Sequence, residues 1–552
     1  MHLLYFCLCL NLSINILSYM KHLKKHILVI LCALQVQYSL ALNLQKDWLI
    51  DGSSYQAKVT TTDKELCLSN GLLSRTFILS PNVATIAFDN LMNGNAELRA
   101  IRPEAVLTIN GMEYPVGGLY KQPVQNFLNN DFIEDMISCD TAFTYVSHTV
   151  GETIERFPYR PKQEWLSNKN PWPAPGKRIV FTYKAAPRAP EMIRNVTVKV
   201  IYELYDGAPI LSKQIEVENQ GKSSIVLNSF KSEILALTET APKVHYGEPH
   251  EIRMLAQEPG TYTRNYRKSP AQTDAPREYI DRFTQLFVVT DYAMGGDMEA
   301  KDNPAVRWVF DHPEYEATGI RYYGQYKPAR LEVCPPIGPD YEITPGMTFR
   351  SCTAFEMLRD ATDNERRGLA ECRFWRMMAP WTQENPIFMH VRRSDEASVK
   401  AAIDQCAAVG FEMVIMTFGS GFNIENNSPE YMEMMKRLNA YAHSKGIALG
   451  GYSLLASRGA KTEDAAISRK TGKPATTREE GSRFGKSPCL ASSWGDTYFG
   501  KLRSFFTQTG MGGFENDGSY PGDPCASTQH KHHRGYLDSQ WKQWEVIRDF
   551  YR

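Results

Sequence analysis

The chain has 552 residues, 43% of them hydrophobic and 22% charged, with Lys+Arg and Asp+Glu both at 62. That length holds two or more domains, and the composition excludes a disordered or fibrous protein. The neutral balance gives no support to nucleic-acid or anionic-membrane binding. Aromatic residues make up 11%, with 28 Tyr and 9 Trp, a content that suits stacking on sugar rings and equally suits large cores.

The first segment, residues 1–41, reads as a leader whose true start is Met20. Met20-Lys21-His22-Leu23-Lys24-Lys25-His26 is a basic stretch, Ile27–Leu34 a short apolar one, and Ser39-Leu40-Ala41 a small-x-small cleavage site. The apolar stretch is too short to span a bilayer, which takes about 20 residues. No later run is long enough either. The expectation is export to the periplasm or medium, with no membrane span. Of 11 cysteines, Cys7, Cys9 and Cys32 fall in the leader, and the rest form no Cys-x-x-Cys pair. That spacing argues against a zinc ribbon or a disulfide scaffold.

Residues 42–360 predict a large antiparallel β sandwich with its own core. Asn195–Tyr205 alternates Val196, Val198 and Val200 with Thr197 and Lys199. Asp206-Gly207 turns the chain, Ile210–Glu218 alternates again, and Asn219-Gln220-Gly221 turns into Ser224–Ser229. Similar runs occupy Ala105–Asn110, Arg178–Tyr183, Gln285–Thr290 and Ala305–Phe310.

Residues 361–385 predict a linking helix, and the period then changes. Strands Pro386–Val391, Phe411–Phe418, Ile447–Leu455 and Gly512–Asn516 alternate with helices Glu396–Ala408, Pro429–Lys445, Asp496–Thr509 and Leu537–Arg552. Gly410, Gly446 and Gly510 stop helices, and Ser428-Pro429 starts one. Strands alternating with helices call for parallel pairing. Residues 386–552 therefore read as four βα units, where a (β/α)8 barrel has eight. A complete flavodoxin-like sheet is the alternative. The half-barrel is preferred because chemistry-bearing loops follow strands three and four, and such a half would have open edges prone to association.

Met511-Gly512-Gly513-Phe514-Glu515-Asn516-Asp517 is an apolar strand ending in carboxylates, where parallel barrels put their chemistry. Asp517 suits a glycosidase nucleophile, which needs a second carboxylate about 5 Å away. Glu515 reads as a substrate contact or as part of an ion pair. Tyr452, Arg458, Cys489, Trp494, Asp523, His530 and His533 are further candidates for substrate binding, with Trp494 as a stacking platform. Trp541 and Trp544 read as packing. The His-rich loop raises a metal, but its spacing lies on no predicted helix and a loop is too flexible to pre-set ligands. No metal and no cofactor is expected. Nucleophile-elbow, phosphate-loop and dinucleotide motifs are missing from the sequence.

A leader, a sandwich, a linking helix and a barrel with Asp at the end of strand four resemble the clan D glycoside hydrolases of the melibiase or α-galactosidase type. Val196–Leu235, with Tyr205-Asp206-Gly207-Ala208-Pro209, is similar to their sandwich, and Ile387–Asp517 to the first half of their barrel. The resemblance implies a retaining α-glycosidase with Asp517 as nucleophile and a carbohydrate as partner. Two places depart from the family. Thr417-Phe418-Gly419-Ser420-Gly421-Phe422 stands where the family has Asp-Asp-Gly-Trp, and Glu515-Asn516-Asp517 where it has Lys-Trp-Asp. The family's acid/base follows strand six and has no counterpart here. A carbohydrate-binding protein without catalysis and a metal-dependent hydrolase are the competing classes.

Overall fold

The computed structural model describes residues 46–125, 127–161, 171–240, 252–253, 263–264, 286–292, 305–310, 328–361, 363–454, 459–475, 485–516 and 522–552. The leader and its cleavage site, Arg458 and Asp517 lie outside them. Residues 46–54 belong to one unit, in which Lys46 pairs with Asp51 at 2.7 Å. Tyr55–Arg552 form the other.

The β region is built around a seven-stranded antiparallel sheet containing Thr144–Glu152, Gly176–Lys184, Val196–Tyr205 and Ile210–Asn219. Val198 faces Val217 and Val200 faces Ile215 in register, so the alternation in the sequence becomes one apolar face. A five-stranded sheet packs on that face. Phe77 from its strand Leu73–Ile78 lies 5.0 Å from Phe181 and 4.9 Å from Tyr202. A four-stranded sheet carrying Ile225–Lys231 joins it, with Phe230 5.6 Å from Phe349.

Between the layers sits a buried charge network. Arg75 bonds Glu233 at 2.8 Å and approaches Glu356 at 3.5 Å, while Lys213 bonds Glu233 at 2.9 Å. The Tyr202 hydroxyl donates to Glu104. Burial, with the neighbouring Glu233 next, pushes the Glu356 carboxyl well above its usual range. Arg75 and Lys213 outweigh the desolvation of Glu233 and hold it down, at about 2. Two cations thus share an apolar shell with carboxylates of which Glu233 is favoured ionised and Glu356 protonated.

The linking helix α1 (Asn364–Met378) is capped by the Asp363 carboxylate, which accepts from the Arg366 N–H. Four parallel strands follow: β1 (Phe388–Val391), β2 (Met413–Met416), β3 (Ala448–Ser453) and β4 (Gly513–Asn516), adjacent in that order. The helices between and after them are α2 (Glu396–Val409), α3 (Pro429–Ser444), α4 (Ser493–Thr509) and α5 (Tyr536–Tyr551). Gly410 and Gly510 end α2 and α4 at φ 80 and 70, the left-handed region that glycine enters without a Cβ clash.

One face of the sheet meets the helices. Val414, Met416 and Leu449 are buried there with Val399, Ile403, Met435 and Leu438, and Phe514 touches Phe506 and Phe550. The other face, from Phe388 and His390 through Tyr452 to Glu515, is partly open. Phe388 is 44% exposed.

The sandwich does not have the separate core that its sequence suggests. One continuous core runs through both regions. Helix α5 is the bridge: Trp541 stacks 5.4 Å from Tyr292 and 5.2 Å from Phe349, and the Trp544 indole N–H donates to the Asp291 carbonyl. At its other end Phe550 meets Phe499 at 4.7 Å. This explains why Ile201 and Glu203, on the outer face of the large sheet, are also buried. With Trp544 and Arg548 they line a cavity of about 170 Å³. Among the described residues no helix is long and apolar enough to cross a membrane.

Candidate active-site cleft

The C-terminal edge of the parallel sheet opens into a cleft of about 350 Å³ lined by Thr417, Phe418, Phe422, Asn423, Tyr452 and Ser453, among others. That volume lies at the small end of ligand sites. Three glycines lie in the strands beside it. A Cβ on Gly451 would sit 2.3 Å from the Phe422 ring, so only glycine lets that ring fold over β3. Gly450 and Gly513, paired in register, approach so closely that a Cβ on either would crowd the other strand. Phe418 meets Tyr452 edge-on at 5.7 Å.

Glu515 sits near the tip of β4. Its Oε1 lies 2.8 Å from His390 Nε2, and its Oε2 accepts from the Thr417 hydroxyl at 3.4 Å. His390 is on β1, the opposite edge of the sheet. Neighbouring strands are about 4.8 Å apart, so the edges of a flat four-stranded sheet would be about 14 Å apart. A His and a Glu side chain cannot reach across that. The sheet is therefore curled toward its open face, and the His390–Glu515 pair closes the curl. His390 was not among the sequence candidates because it is a single polar residue within an apolar run. Its place opposite β4 depends on curvature that the sequence does not display.

The other candidates divide. Tyr452 lines the cleft. Trp494 does not: it lies in the first turn of α4, where its backbone N–H donates to the capping Ser492 hydroxyl, and its ring stacks on Tyr498 at 4.6 Å, so one face of the proposed platform is already covered. Asp523 is half-buried, and its carbonyl accepts from the Gln543 amide. Cys489, His530 and His533 lie elsewhere. They do not line the cleft but converge with Cys525, and one ligand atom from each of the four lies within 4.8 Å of all the others. Cys489, Cys525 and His533 are buried, which removes them from direct contact with a sugar. Neither thiol is in a disulfide. Cys525 and Ala526 are anchored in this structure, because the Cys525 N–H donates to Ser539 of α5 and the Ala526 N–H to the Ile467 carbonyl. Hydrogen bonding from Cys489 holds the Cys525 thiol far below its usual range. Burial pushes Cys489 far above it.

The fold, a parallel sheet joined to a large antiparallel sandwich, is similar to that of solved alpha-galactosidases. Among solved structures, the alpha-galactosidase from Lactobacillus brevis matches with a TM-score of 0.51 at 11% identity, over 90% of this chain and 67% of that one. The GH36 alpha-galactosidase AgaA from Geobacillus stearothermophilus matches with 0.51 at 10% identity, over 88% and 70%. A variant of AgaA in complex with stachyose matches equally, at 9% identity. Identities this low carry the fold alone. No protein-family model and no curated protein matches the sequence.

Proposed function

We propose that this chain is an exported glycoside hydrolase that acts on α-glycosides of oligo- or polysaccharides with retention, using Asp517 as nucleophile. The observation that carries the reading is the curled parallel sheet whose C-terminal edge opens into a cleft beside an acidic strand tip. Asp517 directly follows Asn516, the last residue of β4, where such sheets carry their catalytic groups. The curl and the one-sided helices favour the first half of a barrel over a flavodoxin-like sheet, which has helices on both faces. The solved neighbours that bind stachyose and raffinose make α-galactosides the first substrates to try. The leader motivates export.

Turnover of an aryl α-galactoside and of stachyose by the full chain, compared with Asp517→Asn, tests this reading. Loss of a covalent nucleophile lowers the rate on the order of a thousandfold or more. A normally active Asn variant would refute the assignment.

One observation favours a second reading, carbohydrate binding without catalysis. The described residues lining the cleft include aromatics but no carboxylate. Under that reading, calorimetry would detect sugar binding while no substrate turns over.

A further inference from the structure

We propose that Cys489, Cys525, His530 and His533 form a tetrahedral zinc site that pins the loop after β4 to the segment preceding α4. This assignment is independent of the glycosidase reading.

Three features point to a cation. The first is spacing. Cys489 Sγ lies 3.4 Å from His533 Nε2, Cys525 Sγ 3.4 Å from His530 Nδ1, and the two imidazole nitrogens 3.0 Å from each other. Zinc–sulfur bonds of about 2.3 Å and zinc–nitrogen bonds of about 2.05 Å at tetrahedral angles place neighbouring ligand atoms about 3.3–3.8 Å apart. The remaining pairs lie within 4.8 Å, so a contraction of at most about an ångström completes the shell.

The second is orientation. His530 Nε2 lies 3.1 Å from the Glu463 carbonyl, and His533 Nδ1 lies 3.1 Å from the Gly535 carbonyl. A carbonyl only accepts, so each ring donates outward and the neutral ring turns its lone pair inward. Metal-bound histidines are held by outer hydrogen bonds of this kind. A proton on one imidazole answers one inward lone pair, whereas a divalent cation answers all four ligand atoms.

The third is the sulfur environment. Cys525 Sγ accepts from the Ile467 N–H at 3.3 Å and from the Ser527 N–H at 3.5 Å. These donors favour the thiolate, the form that binds metal. Two thiolates and two imidazoles select zinc over hard cations, and four protein ligands leave no open position. The site is thus structural. It fixes Cys525, eight residues beyond Asp517 in the sequence, and with it the far end of the loop that carries the proposed nucleophile.

The test measures metal content of the full chain purified under reducing conditions with zinc supplied, followed by exchange with cobalt. The expected result is one zinc per chain and, with cobalt, the intense visible absorption of a tetrahedral thiolate site. Cys525→Ser and His533→Gln should each lose that absorption. Because either variant could fail to fold, the unaltered protein supplies the second readout: stripping with a chelator should lower its Tm, and adding zinc back should restore it. Zinc-treated protein that holds no metal, or a Cys489–Cys525 disulfide in its place, would overturn the proposal. So would stoichiometric metal that survives both substitutions in folded protein.

Discussion

Buried charge is where single residues matter most in this molecule. Arg75 is fully buried and answers Glu233, Glu356 and Glu104 together. Removing one partner of a buried network leaves the others desolvated and unpaired, which costs about 3–5 kcal/mol. Arg75→Met is therefore expected to lower unfolding free energy by that amount in urea titration. An unchanged midpoint would show the network to be energetically idle. Glu97 is a different case. Burial, helped by Asp89, pushes its carboxyl up to about 7 from 4.5. The folded state then holds a proton that the unfolded state has released, so stability falls as pH rises from the unfolded pKa through the folded one. Its protonated form contributes fully below pH 4.5, and the contribution is lost through about pH 7. Glu97→Gln should flatten the stability profile between these limits, and a profile unchanged from the parent would contradict the assignment.

Elements show which features were legible in the sequence. The βα units were, since Gly410 and Gly510 stop helices in the left-handed region and Ser428 caps α3 ahead of Pro429. These are local signals, written within a few residues. The curl of the sheet and the His390–Glu515 pair were not, because they join residues 125 positions apart through a backbone path. The four-residue cluster was missed for the same reason: Cys489 reaches the other three across α4 and β4. Glycine placement yields a prediction at this scale. Gly451→Val would drive a side chain into the Phe422 ring, and overpacking of this kind typically costs about 1–3 kcal/mol. Fluorescence or calorimetric titration should show weaker sugar binding in a variant that still folds. Unchanged affinity would place the sugar site away from this cleft.

At the scale of the whole molecule, the sandwich and the parallel sheet share one core through α5. Trp541 is 1% exposed and touches Phe230, Tyr292 and Phe349. Its truncation to alanine should cost about 3–5 kcal/mol and destabilise both regions together. Calorimetry of the intact chain should show one cooperative transition, and two separable transitions would mean that the sandwich folds alone.

The claim that joins these scales is that the acidic tip after β4 performs glycoside chemistry. A retaining enzyme forms a covalent bond between its nucleophile and the anomeric carbon, so an activated 2-fluoro glycoside of the α series should leave a sugar on the protein. Peptide mapping by mass spectrometry after that treatment is the most direct test. One label is expected, on the peptide containing Asp517, with loss of activity in step. A label on another carboxylate, or aryl α-glycoside turnover that leaves Asp517 unlabelled, would contradict it.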